Sequence, residues 1–142
     1  MNAIISNAIS GLNAARQRLE VSAANVANVD SDGVLPGSTS DPAAPQVYTP
    51  LRVEQQPLVS GGTVATVLPV DPRLVRRYVP DSPAANADGI IASPNVDLVG
   101  EGISQLAAAQ TYKANLRVIQ VAQELERETA ETLGGNRHDL RA

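Results

Sequence analysis

Over the first 29 positions the apolar residues fall largely at two interleaved offsets. Ile5, Leu12, Leu19 and Val26 repeat every seven residues, and Ala8, Ala15, Ser22 and Val29 follow each of them by three. That is the period of a coiled-coil seam, sustained for about four heptads. The spacing predicts a helix from about Asn2 to Asn28 whose second seam position is small, so that a neighbouring helix can approach closely. Gly11 weakens this helix by about 1 kcal/mol relative to alanine. Asp30-Ser31-Asp32-Gly33 supplies the turn residues, and the left-handed glycine, expected of a helix stop.

A second helical pattern runs to about Leu133. Val99, Ile103, Leu106, Ala109, Tyr112, Leu116, Ile119 and Gln123 step by three or four, and Ala114, Val118, Val121 and Leu125 form a second run beside them. An apolar face this broad suits more than one partner helix. Ser93-Pro94-Asn95-Val96-Asp97 marks the start, with Ser93 or Asn95 as the cap and Asp97 in the first turn. Glu124, Glu126, Glu128 and Glu131 crowd the last turns, where acidic groups oppose the helix dipole, and Gly134-Gly135 ends the pattern.

All 10 prolines fall between these arms, from Pro36 to Pro94. The segment from Val34 to Pro45 reads as a loop. Val47 to Gln55 is β-prone and closes at Pro57. Gly61-Gly62 ahead of Thr63 to Leu68 marks a hairpin, and Arg73 to Val79, between Pro72 and Pro80, is a third candidate strand. So small a patch of strands needs a surface to pack on. The expected fold is mainly α with a small β insert: N- and C-terminal helices form an antiparallel, coiled-coil-like arm pair, with a short β-hairpin domain between them. The corresponding organisation is an N-terminal axial helix over 1–29, a Pro-rich loop and small β domain over 30–92, a C-terminal axial helix over 93–133 and a polar tail over 134–142.

Composition narrows the function. With no Phe, no Trp and three Tyr among 142 residues, the core rests on Ala, Val, Leu and Ile, and neither arm is expected to bury its stripe against the rest of one chain. A net charge of -4 without a basic stripe argues against nucleic acid. The absence of Cys removes disulfides, zinc thiolates and thiol catalysis. The single His, His138, sits in the tail, a poor place to hold catalytic geometry, so no catalytic, metal or cofactor residues are expected. Arg73, Arg76 and Arg77 form a cluster that suits an acidic partner or, more commonly, a solvated face, and Asp81 to Gly89 reads as a turn without calcium-loop spacing. The N-terminus lacks a cleavable secretory pattern, and no apolar run is long enough to span a membrane.

Three stretches carry a resemblance. They are Ile9-Ser10-Gly11-Leu12-Asn13-Ala14 with Leu19 and Ala23-Ala24-Asn25-Val26-Ala27-Asn28-Val29; Asp88-Gly89-Ile90-Ile91-Ala92-Ser93-Pro94-Asn95-Val96-Asp97-Leu98-Val99; and Tyr112-Lys113-Ala114-Asn115-Leu116. Together they make the chain resemble the rod proteins of the bacterial flagellar basal body, most closely the proximal rod type. The Pro- and Ala-rich stretch from Val34 to Pro57 and the extension past Leu133 depart from the family pattern.

The resemblance implies a structural subunit, not an enzyme, whose terminal helices build a helical tube that transmits torque and surrounds an export channel. It implies a periplasmic rod location in the basal body and export without signal cleavage. The implied partners are other rod proteins, copies of the chain itself and the flagellar export apparatus, with contacts to the basal-body membrane ring and its adaptor left open. The assembly interface is expected to comprise Ile5, Leu12, Leu19, Asn25, Val26 and Asn28 on the first arm. On the second it comprises Val96, Val99, Ile103, Leu106, Tyr112, Asn115, Leu116 and Ile119. The alternatives are another axial subunit, of rod or hook type, and a self-sufficient coiled-coil adaptor. Replacing Leu12 or Leu19 by a charged residue is expected to block assembly and swimming; a freely swimming mutant would count against the structural reading.

Overall fold

A computed structural model describes residues 2–38 and 43–135 of the chain. Two long helices, α1 (Asn2–Ala27) and α2 (Leu98–Gly135), bracket four strands: β1 (Leu51–Pro57), β2 (Thr63–Pro69), β3 (Leu74–Tyr78) and β4 (Ile90–Pro94). The strands form two separate antiparallel pairs, β1 with β2 and β3 with β4. The helices run antiparallel: Ser22, near the end of α1, meets Glu101 at the start of α2, whereas Ile4 lies beside Val118, Val121 and Leu125.

Local chemistry accounts for most boundaries. At the end of α1 the Asn28 backbone N–H reaches the Ala24 carbonyl at 3.1 Å, and its side-chain amide donates to the same oxygen at 2.9 Å. Ser31 then donates to the Asn28 side-chain oxygen, which holds the turn. At α2 the cap is Asp97. Its carboxylate accepts from the Val99 N–H at 3.1 Å, and its carbonyl accepts from Glu101 at 2.8 Å. Asp97 therefore precedes the helix and is not in its first turn.

Neither Ser93 nor Asn95 caps α2. Ser93 sits buried in β4 in register with Val75, and Asn95 donates to the Pro72 carbonyl. β4 itself was not expected from the sequence. The β-branched pair Ile90-Ile91 finds its partners on β3, and Val96 is left half-buried in the linker ahead of α2. Gly33 also departs from expectation. It is not left-handed; it bridges Ala92 in an extended conformation, exchanging both backbone hydrogen bonds at 2.9 Å. Glycine is required there because a Cβ would overlap the backbone nitrogen of Val47. The predicted β1 start at Val47 moves to Leu51, because Pro50 cannot donate to a ladder and lies buried just ahead of it.

The β1–β2 hairpin does not float free. Its turn uses Gly61 and Gly62 at φ of 92° and 83°, and both lie directly against Asn7 and Ser10 of α1. The Ser10 hydroxyl accepts from the Thr63 N–H at 3.0 Å. At the far corner of the hairpin, Asn25 bonds both backbone groups of Leu51. α1 thus lies between the hairpin on one side and α2 on the other. The β3–β4 pair attaches through Gly33 and through the ion pair between Arg77 and Asp32.

The core along α1 is made of small side chains: Ala8, Ala14, Ala15 and Ser22 are buried. Ala15→Leu is expected to overpack this line and lower stability by about 1–3 kcal/mol, read as a lower urea midpoint.

Candidate assembly surface

Two faces of the helix pair differ in kind. The inner one joins α1 to α2. α1 contributes Ala8, Ala15 and Ser22 at seven-residue spacing, and α2 contributes Glu101, Ala108, Asn115 and Ala122 at the same spacing. Ala108 and Ala122 are buried, and Gly11 stands so close to Asn115 that an added Cβ would lie 2.6 Å from its side-chain oxygen. Two helices with such small contact residues come close together and bury little apolar area per residue. Position along the seam is therefore left largely to polar contacts.

Asn25 supplies the strongest of these. It is only 1% exposed and uses every hydrogen-bonding site of its amide. Its Nδ2 donates to the Leu51 carbonyl at 2.7 Å and to the Glu101 carboxylate at 2.6 Å. Its Oδ1 accepts from the Leu51 N–H at 3.0 Å and from the Tyr48 hydroxyl at 3.1 Å. Burial, and secondarily the nearby Glu101 carboxylate, push the Tyr48 phenol above its ordinary pKa; the hydroxyl thus stays a donor at neutral pH. One side chain ties α1 to α2, to β1 and to the segment ahead of β1.

The outer face belongs to α2. Val99, Ile103 and Leu106 are 73%, 65% and 63% exposed, and the helical repeat turns them away from the Glu101–Ala108 line. Tyr112 and Leu116 are also partly exposed, nearer the edge of the inner line. A second apolar area lies at the other end of the pair, where Ile4 meets Val118, Val121 and Leu125. Beyond Leu125, α2 runs on to Gly135 past the start of α1, with its Glu side chains exposed.

The sequence-predicted interface therefore divides. Val99, Ile103, Leu106, Tyr112, Leu116 and Leu19 are exposed and open to a neighbour. Ile5, Leu12, Val26 and Ile119 are half-buried along the helix pair. Asn25 and Asn115 are engaged inside the chain, and Asn28 holds the turn that ends α1. Of the first-arm seam, it is the small positions that turn inward and Leu19 that turns out, so α1 does bury part of its stripe within one chain. Sequence reasoning missed Tyr48, Glu101 and Ser10. The seven-residue spacing of Glu101, Ala108, Asn115 and Ala122 was the available signal, but hydropathy conceals it because half of that line is polar. His138 lies outside the described residues. No helix among the described residues is long and apolar enough to cross a membrane.

Two parts of the chain match known families. Residues 5–33 match the family described as flagella basal body rod protein, and residues 87–132 match that described as flagellar basal body rod FlgEFG protein C-terminal. The matched stretches are α1 with its closing turn, and β4 with α2. Among curated relatives, flagellar basal-body rod protein FlgC of Yersinia enterocolitica is 37% identical over 128 residues, covering 88% of this chain and 91% of the relative. FlgC of Salmonella typhimurium is 34% identical over 126 residues, with 88% and 91% covered. FlgC of Agrobacterium fabrum is 34% identical over 127 residues, with 87% and 88% covered.

The chain belongs to the FlgC family of flagellar basal-body rod proteins. In this family member the two matched stretches meet in space: the Gly11 stretch lies against Asn115, and Asn25 against Glu101. The motifs that carry the likeness are thus, in large part, the inner seam. Asn25→Ala should leave the Leu51 backbone, the Tyr48 hydroxyl and the Glu101 carboxylate without this partner. A loss of about 3 kcal/mol is expected from groups so stranded, measured by urea unfolding at neutral pH.

Proposed function

We propose that this chain is a structural subunit of the flagellar proximal rod that assembles through its terminal helices into a helical tube around an export channel and passes torque along it. The observation that carries the reading is the exposure of Val99, Ile103 and Leu106 in a row on α2, while alanines and serine fill the seam within the chain. A helix that places its largest aliphatic groups in water and its smallest inside is shaped for a neighbour. The chain's own seam uses the small face, with Ile5, Leu12, Val26 and Ile119 half-buried beside it.

The partners in this reading are other basal-body rod components and further copies of the chain. The location is the periplasmic part of the basal body, reached without signal cleavage through the flagellar export apparatus. A narrow route favours a chain whose helix pair is easily separated, and a seam of Ala, Ser and Gly buries little area to resist separation. Torque transfer asks for stiffness only once neighbours cover the outer face.

Leu106→Glu separates the two roles. Leu106 is exposed, so folded-state stability is expected to stay within about 0.5 kcal/mol. Incorporation into basal bodies and swimming are expected to be lost. Normal swimming by a strain carrying only this variant would reject the outer face as an assembly surface.

A further inference from the structure

The apolar area at the free end of the helix pair is a groove of about 260 Å³, lined by Ile4, Val118, Val121, Ala122 and Leu125, with Arg117 at its edge. The exposed row Leu98, Val99, Ile103 and Leu106 lies at the opposite end of α2, flanked by exposed Asp97. One is a depression and the other a ridge, both are apolar, and the flanking charges are of opposite sign. The ridge and most of the groove lie on a single continuous helix, and Ile4 of α1 completes the groove. Their centres are about 19 residues apart, or about 28 Å at 1.5 Å per residue, so one chain cannot close the ridge onto its own groove.

We propose that the groove receives the Leu98–Leu106 ridge of a second copy, with Asp97 of that copy facing Arg117. This rests on the rod reading and names which surfaces of two copies meet. The contact is heterologous: each copy uses its ridge at one end and keeps its groove free at the other, so the interaction propagates as an open helical array and does not stop at a dimer. Asp97 is exposed, so its charge can face a guanidinium while Oδ1 keeps its bond from the Val99 N–H.

The chain has no cysteine, so a disulfide can be placed without background. Val99→Cys combined with Leu125→Cys puts one thiol on the ridge and one on the groove. About 39 Å of helix separates them, and a disulfide needs Cα atoms within about 7 Å; oxidation can only join two copies. In oxidised basal bodies the double variant is expected to run as a ladder of dimers and higher multiples, and each single variant as monomer. Monomer alone from the double variant, or dimers from either single variant, would overturn the proposal. Should the double variant fail to enter basal bodies, Ile103→Cys with Val121→Cys reads the same contact by the same criteria. The chain's presence in isolated basal bodies reports on the rod reading separately. A chain present there but never cross-linked leaves that reading standing and removes this contact, whereas an unsubstituted chain missing from basal bodies removes both.

Discussion

Asn25 is the side chain on which the arrangement of the molecule turns. The seam between α1 and α2 is lined by Ala8, Ala15, Ser22, Ala108 and Ala122, none large enough to act as a knob that locks one helix against sliding on the other. A buried amide with four directed hydrogen bonds does what bulk does not: it is satisfied at one register and stranded at any other. Because two of the bonds go to Leu51, the same residue also sets where the β1–β2 hairpin begins. Ser10 then fastens the other corner of that hairpin, with Gly61 and Gly62 supplying a turn that fits against α1 without a Cβ in the way. Helix register and hairpin position are therefore coupled through one helix.

That design leaves several large aliphatic groups of α2 outside the fold's own core, although Ile91 of β4 is fully buried. In a self-contained domain of this size they would form the core, and their exposure would be a liability. Here Val99, Ile103 and Leu106 point outward from a helix whose inner line is already complete. Stability is split between a thin intramolecular seam and a broader surface available to neighbours. In the proposed reading such a subunit gains contacts on its outer face only when neighbours cover it. Family membership and this division of surfaces are independent lines that lead to the same role.

Much of this was legible in the residues. The seven-residue repeat of Ile5, Leu12, Leu19 and Val26 identified α1 because a 3.5-residue period is the mark of packed helices, whereas a strand alternates every two residues. The Gly61-Gly62 pair identified the first hairpin because only glycine sits easily at positive φ in adjacent turn positions. What stayed open was which part of the repeat packs inside the chain and which part is left for a neighbour. Hydrophobicity places Leu inside and Ala at the margin, whereas this chain needs two interfaces and gives the inner one to Ala8 and Ala15. β4 escaped notice because Ser93-Pro94-Asn95 imitates a helix start and only Ile90 and Ile91 announce a strand. Asn25 was picked out as part of a motif, yet nothing local could reveal that its partners are Tyr48, Leu51 and Glu101, 23 to 76 residues away.

The central claim is that the small-residue face is internal and the aliphatic face is reserved for neighbours. Thiol labelling tests it directly, with Ile103→Cys on the outer face and Ala108→Cys on the inner one, each probed in the purified chain and in isolated basal bodies. The account predicts that Ile103→Cys labels rapidly in the free chain and is protected in basal bodies, while Ala108→Cys is slow in both. Equal labelling of Ile103→Cys in the two states would contradict it, because the row on α2 would then face water in the rod as well.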